Sequence, residues 1–207
     1  MTAAFTLKGP LSESFDAEQR QHVLVTGAAG RIGSYFAQNH NPDRFALRLM
    51  VRQEDAAENV EALHPFGEVA VGDLGDLEGL KAYFQGADTI LHLAGDPGPS
   101  AVWSSVLENN ITGTYNVFAA AKAAGCRRIV YASSIHAVSG YPTDVQVKTN
   151  EPVNPGDLYG VSKCFGEAMA RYMAEQESVS AICIRIGSFQ PLERARDANA
   201  RLVCLAP

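Results

Sequence analysis

At 207 residues and 22.2 kDa the chain is large enough for one substantial hydrophobic core. Apolar residues make up 46% and charged residues 19%, a balance that excludes a disordered chain and gives no support to a fibrous one. Lys plus Arg number 17 against 23 Asp plus Glu, a formal net charge of −6, which argues against a general nucleic-acid or membrane-surface binder while leaving room for a local basic pocket.

Residues 1–20 read as a leader without periodic pattern, and no stretch approaches the roughly 20 apolar residues needed to span a bilayer. The four cysteines, Cys126, Cys164, Cys183 and Cys204, lie far apart with no Cys-x-x-Cys pair, so neither a metal site nor a disulfide scaffold is expected. These features predict a soluble, cytoplasmic protein. From Val23 the chain alternates short apolar strands with helices. Strands are expected at Val23–Val25, Ala46–Val51, Glu68–Val71, Thr89–Leu93, Arg128–Ala132 and Ser180–Ile186. Helices are expected over Ile32–Asn39, Leu77–Phe84, Val102–Ala124 (closed by Gly125) and Leu158–Gln176. The strands are apolar at consecutive positions, which marks strands covered on both faces. Strand and helix alternating at this spacing predict an α/β domain with a doubly wound parallel sheet, a Rossmann fold, over 21–186. From Gly187 the character changes, and 187–207 reads as the start of a small, apparently truncated C-terminal lobe.

Gly27-Ala28-Ala29-Gly30-Arg31-Ile32-Gly33 is Gly-x-x-Gly-x-x-Gly directly after the first strand and opening a helix. Glycine permits positive φ and close backbone approach, and the N–H groups of a helix start attract a pyrophosphate. The bland alternative is a tight turn without a ligand. Dinucleotide sites specific for NAD close the second strand with a carboxylate for the ribose 2′-hydroxyl, whereas this chain reads Met50-Val51-Arg52. Arg52, with Arg31 opposite, suits a 2′-phosphate, so NADP is expected in preference to NAD. Asp73 follows the third strand, where it suits an adenine amino group or, equally, a helix N-cap. Leu93-Ala94-Gly95 follows the fourth strand with small residues that let backbone lie against a dinucleotide.

Tyr159 and Lys163 stand four apart, hence on one helix face, and Ser133-Ser134 closes the fifth strand. Tyrosine titrates near 10 and is a poor base at neutral pH, and a neighbouring ammonium favours its phenolate. Serine, tyrosine and lysine about a nicotinamide form a hydride-transfer site in which the phenolate takes the hydroxyl proton.

On these motifs, together with Gly72-Asp73-Leu74, Leu91-His92-Leu93-Ala94-Gly95 and Asn110-Ile111-Thr112-Gly113-Thr114, the chain resembles the extended short-chain dehydrogenase/reductases of the NAD-dependent epimerase/dehydratase type. Leu158–Glu167 and Arg185-Ile186-Gly187-Ser188 are similar to uronate dehydrogenases. The resemblance implies an oxidoreductase of carbohydrate metabolism that exchanges a hydride between C1 of a sugar acid or aldose and NADP or NAD. It implies Tyr159 as base, Lys163 as its partner and Ser134 orienting the reacting hydroxyl. His136, Ser188 and Arg201 would join Ser134 at the sugar. Leu74, Ile32 and Asn110 would join the turn glycines, Arg31, Arg52, Asp73, Leu93, Ala94 and Gly95 at the dinucleotide, Asn110 by supporting the helix behind it. Two departures concern specificity: uronate dehydrogenases read Ser-Ser-Asn-His where this chain has Ile135, and they carry the acidic residue missing at Val51-Arg52. The resemblance also implies a homo-oligomer. The alternatives are a sugar-nucleotide epimerase or dehydratase with tightly bound NAD(P), and a non-catalytic NADP-binding sensor.

Overall fold

A computed structural model describes residues 20–53, 56–98 and 100–190. Six strands form one sheet, β1 (Gln21–Thr26), β2 (Phe45–Val51), β3 (Glu68–Val71), β4 (Thr89–His92), β5 (Arg128–Ser134) and β6 (Ser180–Ile186). Every neighbouring pair is parallel and the order is β3-β2-β1-β4-β5-β6. The order reverses between β1 and β4, so loops leaving those two strands diverge and open a crevice at their carboxyl ends.

The apolar run of β1 divides between two cores. Leu24 packs with Ile90, Phe118, Ile129 and Tyr131 on one side of the sheet. Val23 and Val25 pack with Ala37, Leu47, Leu49 and Leu63 on the other. This is the period of two expected when both faces are covered. The helices are α1 (Arg31–Asn39), α2 (Ala56–Leu63), α3 (Leu77–Tyr83), α4 (Trp103–Ser105), α5 (Gly113–Ala123) and α6 (Leu158–Gln176). Asp76 caps α3 by accepting from Gly79 N–H, and Gly125, at φ +73°, follows the end of α5 as the expected terminating glycine.

Three features differ from the sequence reading. The expected helix over Val102–Ala124 is one continuous rod, but Val106–Thr112 between α4 and α5 is π-helical, an inserted register that apolar spacing does not encode. The sequence reading contains no helix α2, of whose described side chains Leu63 is the buried one, so that its apolar stripe is thin. Among the described residues, strand β6 is the edge strand and is covered on one face: α6 lies against one side, and Ile182 and Ile184 on the other are each 47% exposed.

Candidate active site

The glycine turn closes because its backbone has no side chains in the way. Gly27 takes φ +70°, and a Cβ there would lie 2.8 Å from Ala94 N. A Cβ on Gly33 would lie 2.3 Å from the Gly27 carbonyl oxygen. Thr26, fully buried at the end of β1, ties the turn to the neighbouring strand: its carbonyl accepts from Leu93 N–H at 3.2 Å and its hydroxyl from Ala94 N–H at 3.3 Å. Helix α1 starts at Arg31, so its first N–H groups, which have no intrahelical partners, open onto this turn. A turn with no Cβ in the way, joined to a helix start, fits a pyrophosphate.

Beside the turn, at the carboxyl ends of β4, β5 and β6, lies a cavity of about 450 Å³. Ile32, Leu93 and Gly95 form its wall on the side of the glycine turn. Ser134, His136, Tyr159, Lys163 and Ser188 line the rest, together with Asp96. Asn110 stands just behind the wall, fully buried, and holds Asp96 from both sides: its Oδ1 accepts from Asp96 N–H at 2.7 Å and its Nδ2 donates to the Asp96 carbonyl at 3.0 Å. Gly27, Gly30 and Arg31 belong to the adjoining turn. Arg52 and Asp73, both exposed, follow the carboxyl ends of β2 and β3, and Leu74 is half-buried against the core. Asp73 makes a turn of its own by accepting from Gly75 N–H at 2.7 Å, and the N-cap role that its sequence equally suited belongs to Asp76. Arg201 lies outside the described residues.

Two glycines of α6 bring the helix onto the cavity. A Cβ at Gly160 would lie 2.2 Å from the His136 carbonyl oxygen, and one at Gly166 would lie 2.1 Å from Cζ of Tyr131. The start of α6 is fixed by Asp157, whose Oδ1 accepts from Gly160 N–H at 2.7 Å while Oδ2 pairs with His136 Nδ1 at 2.5 Å. Burial alone would raise the Asp157 carboxyl, but the Gly160 N–H and the His136 ring hold it below the usual range.

The serine pair at the end of β5 divides its work. Ser133 Oγ donates to Glu167 Oε1 at 2.6 Å, and Glu167 is also gripped by the Arg185 guanidinium through two bonds of 2.9 Å. Ser134 lines the cavity with Tyr159 and its Oγ accepts from His136 N–H at 3.2 Å. Lys163, 6% exposed, donates to the Ala132 carbonyl at 2.9 Å and stands 5.4 Å from the Tyr159 ring centroid.

The electrostatics differ from the expectation that Lys163 makes Tyr159 acidic. Burial raises the Tyr159 phenol above its ordinary value, the Asp157 and Asp96 carboxylates raise it further, and the nearby Ser134 hydroxyl opposes them. Lys163 is itself pushed down to about 8 by burial, so its ammonium exists at a cost and its bond is spent on a backbone carbonyl. Behind it His92, fully buried, is pushed down to about 3 by burial and then by the Lys163 charge.

Four polar residues of this arrangement escaped the sequence reading: Thr26, Asp96, Asp157 and Ser162. Asp157 carried a readable signal, an aspartate immediately before a helix. The other three act through partners remote in sequence.

The model of the NAD dependent epimerase/dehydratase family matches residues 23–191. The chain is 37% identical over 180 residues to an NAD-dependent glucose-6-phosphate dehydrogenase of Haloferax volcanii, covering 81% of this chain and 68% of that protein. It is 37% identical over 171 residues to a uronate dehydrogenase of Agrobacterium fabrum, covering 83% of this chain and 62% of that protein. Among solved structures, the glucuronic acid dehydrogenase of Chromohalobacter salexigens superposes with a TM-score of 0.74 at 34% identity, over 82% of this chain and 62% of that one. The chain thus spans between three-fifths and seven-tenths of the length of these relatives. A parallel sheet reversing at β1 and β4, a glycine turn at the reversal and a family match over most of its length place the chain in the NAD-dependent epimerase/dehydratase family.

Proposed function

We propose that this chain carries the dinucleotide half of a sugar dehydrogenase that oxidises the C1 hydroxyl of an aldose or uronate, with Tyr159 as base. The observation that carries the reading is the convergence of Ser134, Tyr159 and Lys163 on one cavity beside the glycine turn. The dinucleotide pyrophosphate would lie at the start of α1 against Gly27, Gly30 and Gly33, flanked by Arg31 and Ile32. Leu93, Ala94 and Gly95 would bear on it from β4, with Asn110 behind them, and Leu74 and Asp73 would lie toward the adenosine. When bound in its oxidised form the nicotinamide supplies a hydride-accepting carbon and a positively charged ring.

The chain's own residues supply the proton chemistry. Ser134 orients the sugar hydroxyl against the Tyr159 oxygen, and the phenolate accepts its proton as the hydride leaves. Lys163, held at the Ala132 carbonyl, would hydrogen-bond the nicotinamide ribose. Asp157 fixes the His136 ring, which with Ser188 forms the far wall for sugar hydroxyls. Region 187–207, with Arg201, would belong to the substrate side. NADP is preferred because no carboxylate closes β2 and Arg52 stands there instead. Exposed Val102, Trp103, Leu107 and Tyr115 along the α4–α5 rod, with Tyr172 of α6, supply an apolar face for a homo-oligomer, in a cytoplasmic protein.

A panel of uronates and neutral aldoses offered with NADP and with NAD, followed by absorbance of the reduced dinucleotide, tests this reading. Steady accumulation of reduced dinucleotide, faster with NADP, is expected. Sugar conversion with no net reduction would instead establish the epimerase or dehydratase reading, which the same Tyr159 and Lys163 serve and which the family match favours equally.

A further inference from the structure

Lys163 brings a charge into a place that does not welcome one. Its side chain is 6% exposed, and among the described residues the hydrogen bond it makes is the one to the Ala132 carbonyl. An ammonium has three donors, so one bond leaves most of its charge unanswered. Two aromatic rings face it. The ammonium lies 5.1 Å from the centroid of the Tyr131 ring and 5.4 Å from that of Tyr159, both within the range at which a ring face attracts a cation.

Tyr131 is held in that position from every side. It is 1% exposed and packs against His92 at 5.7 Å and Phe118 at 5.9 Å between ring centroids. His92 is fixed in turn, Nδ1 against the Thr26 hydroxyl at 2.8 Å and Nε2 against the Thr114 hydroxyl at 3.2 Å. The far end of the Tyr131 ring lies directly on the backbone of α6 at Gly166, where any side chain would occupy the same space. Its hydroxyl is buried and, among the described residues, completes no hydrogen bond although it is close to Thr114. A buried hydroxyl without a partner brings no stability, so the ring, not the phenol group, is the useful part.

We propose that Tyr131 is a positioning residue for Lys163: its ring, admitted to α6 by Gly166, is the platform that keeps the ammonium at the Ala132 carbonyl beneath Tyr159. The consequence for catalysis rests on the reading of Lys163 as the partner of Tyr159, whereas the geometry does not. The titratable groups facing Lys163 are Tyr159 on its own helix, Tyr131 on β5 and His92 on β4. His92 stays neutral at physiological pH, so it adds no competing cation.

The test uses the ligand-free chain with ¹³C at the lysine Cε positions, Lys163 being assigned by its loss in Lys163→Met. Its titration is followed by NMR, and NADP and NAD affinities are measured by calorimetry, so neither readout depends on turnover. Tyr131→Phe keeps the ring, and the Lys163 midpoint and both affinities are expected to match the parent. Tyr131→Leu removes the platform, and the midpoint is expected to fall by about half a unit to one and a half units, with weaker dinucleotide binding. Gly166→Ala displaces the ring while retaining it and is expected to act in the same direction. If Tyr131→Leu does not fold, Tyr131→Met and Gly166→Ala decide. Folded variants in which Lys163 titrates as in the parent would overturn the proposal, as would a Tyr131→Phe chain that behaves like Tyr131→Leu. A chain that reduces no dinucleotide with any sugar yet shows these shifts would overturn the proposed function and leave this inference standing.

Discussion

Asn110 and Ser162, 52 residues apart in sequence, are joined by a hydrogen bond of 3.0 Å from Asn110 Nδ2 to Ser162 Oγ. Ser162 Oγ donates in turn to the Tyr159 carbonyl at 2.6 Å, and Asn110 holds both the N–H and the carbonyl of Asp96. One buried amide therefore couples the wall after β4 to the turn of α6 that carries Tyr159. Asn110→Ala would leave several buried polar groups unpaired, at about 1–3 kcal/mol for each one that water cannot reach. A loss of roughly 3 kcal/mol in urea-induced unfolding is expected.

The glycine turn allows a sharper test. A Cβ at position 33 meets backbone atoms, 2.3 Å from the Gly27 carbonyl oxygen and 2.7 Å from the Ala28 Cα, and backbone cannot step aside as a side chain can. Gly33→Ala is expected to cost about 1–3 kcal/mol of stability, the usual range for overpacking. Because the turn must open, dinucleotide affinity should fall at least about tenfold, the equivalent of about 1.4 kcal/mol, by calorimetry.

His92 gives the fold an acid-sensitive element. Its folded value, about 3, lies below the ordinary 6.5, so between those values the unfolded chain binds a proton that the folded chain refuses. Stability from this residue is complete above pH 6.5 and is lost as pH falls toward 3, by an amount on the order of 4 kcal/mol. Urea unfolding of the parent and of His92→Gln at pH 7 and pH 4 checks this. The parent should lose more stability than the variant over that interval.

Asp96 lines the cavity and raises the Tyr159 phenol by its negative charge. Its carboxylate is held by the Gly98 N–H at 3.0 Å and the Ser105 hydroxyl at 2.6 Å, so it cannot swing away. Asp96→Asn removes the charge and lowers the Tyr159 value. The rising limb of the pH profile for sugar oxidation, which reports formation of the phenolate, should then move to lower pH.

The backbone architecture was readable because its signals are local. Three consecutive apolar residues at Val23–Val25 and a Gly-x-x-Gly-x-x-Gly at Gly27–Gly33 specify a buried strand and a tight turn without reference to the rest of the chain. The ends of β3, α6 and β6 fall where the apolar runs placed them. What escaped depends on distant partners. The π register over Val106–Thr112 coincides with an asparagine bonded to Asp96 and to Ser162, and neither bond leaves a mark on hydrophobic spacing. The electrostatics of the Tyr159–Lys163 pair are hidden for a related reason: a helical i,i+4 pair can be read from sequence, but the burial that lowers the Lys163 value cannot. Arg52 and Asp73, read as adenosine contacts, and His136 and Ser188, read as sugar contacts, each follow the carboxyl end of a strand.

The account stands most directly on the phenol of Tyr159, and Tyr159→Phe tests it. Dinucleotide affinity by calorimetry should stay within about twofold of the parent, because the substitution removes only the proton acceptor. Reduction of the dinucleotide by the best sugar of the panel should fall about 10²–10⁴-fold, the usual contribution of a positioned base. A Tyr159→Phe chain that oxidises that sugar at close to the parental rate would contradict it.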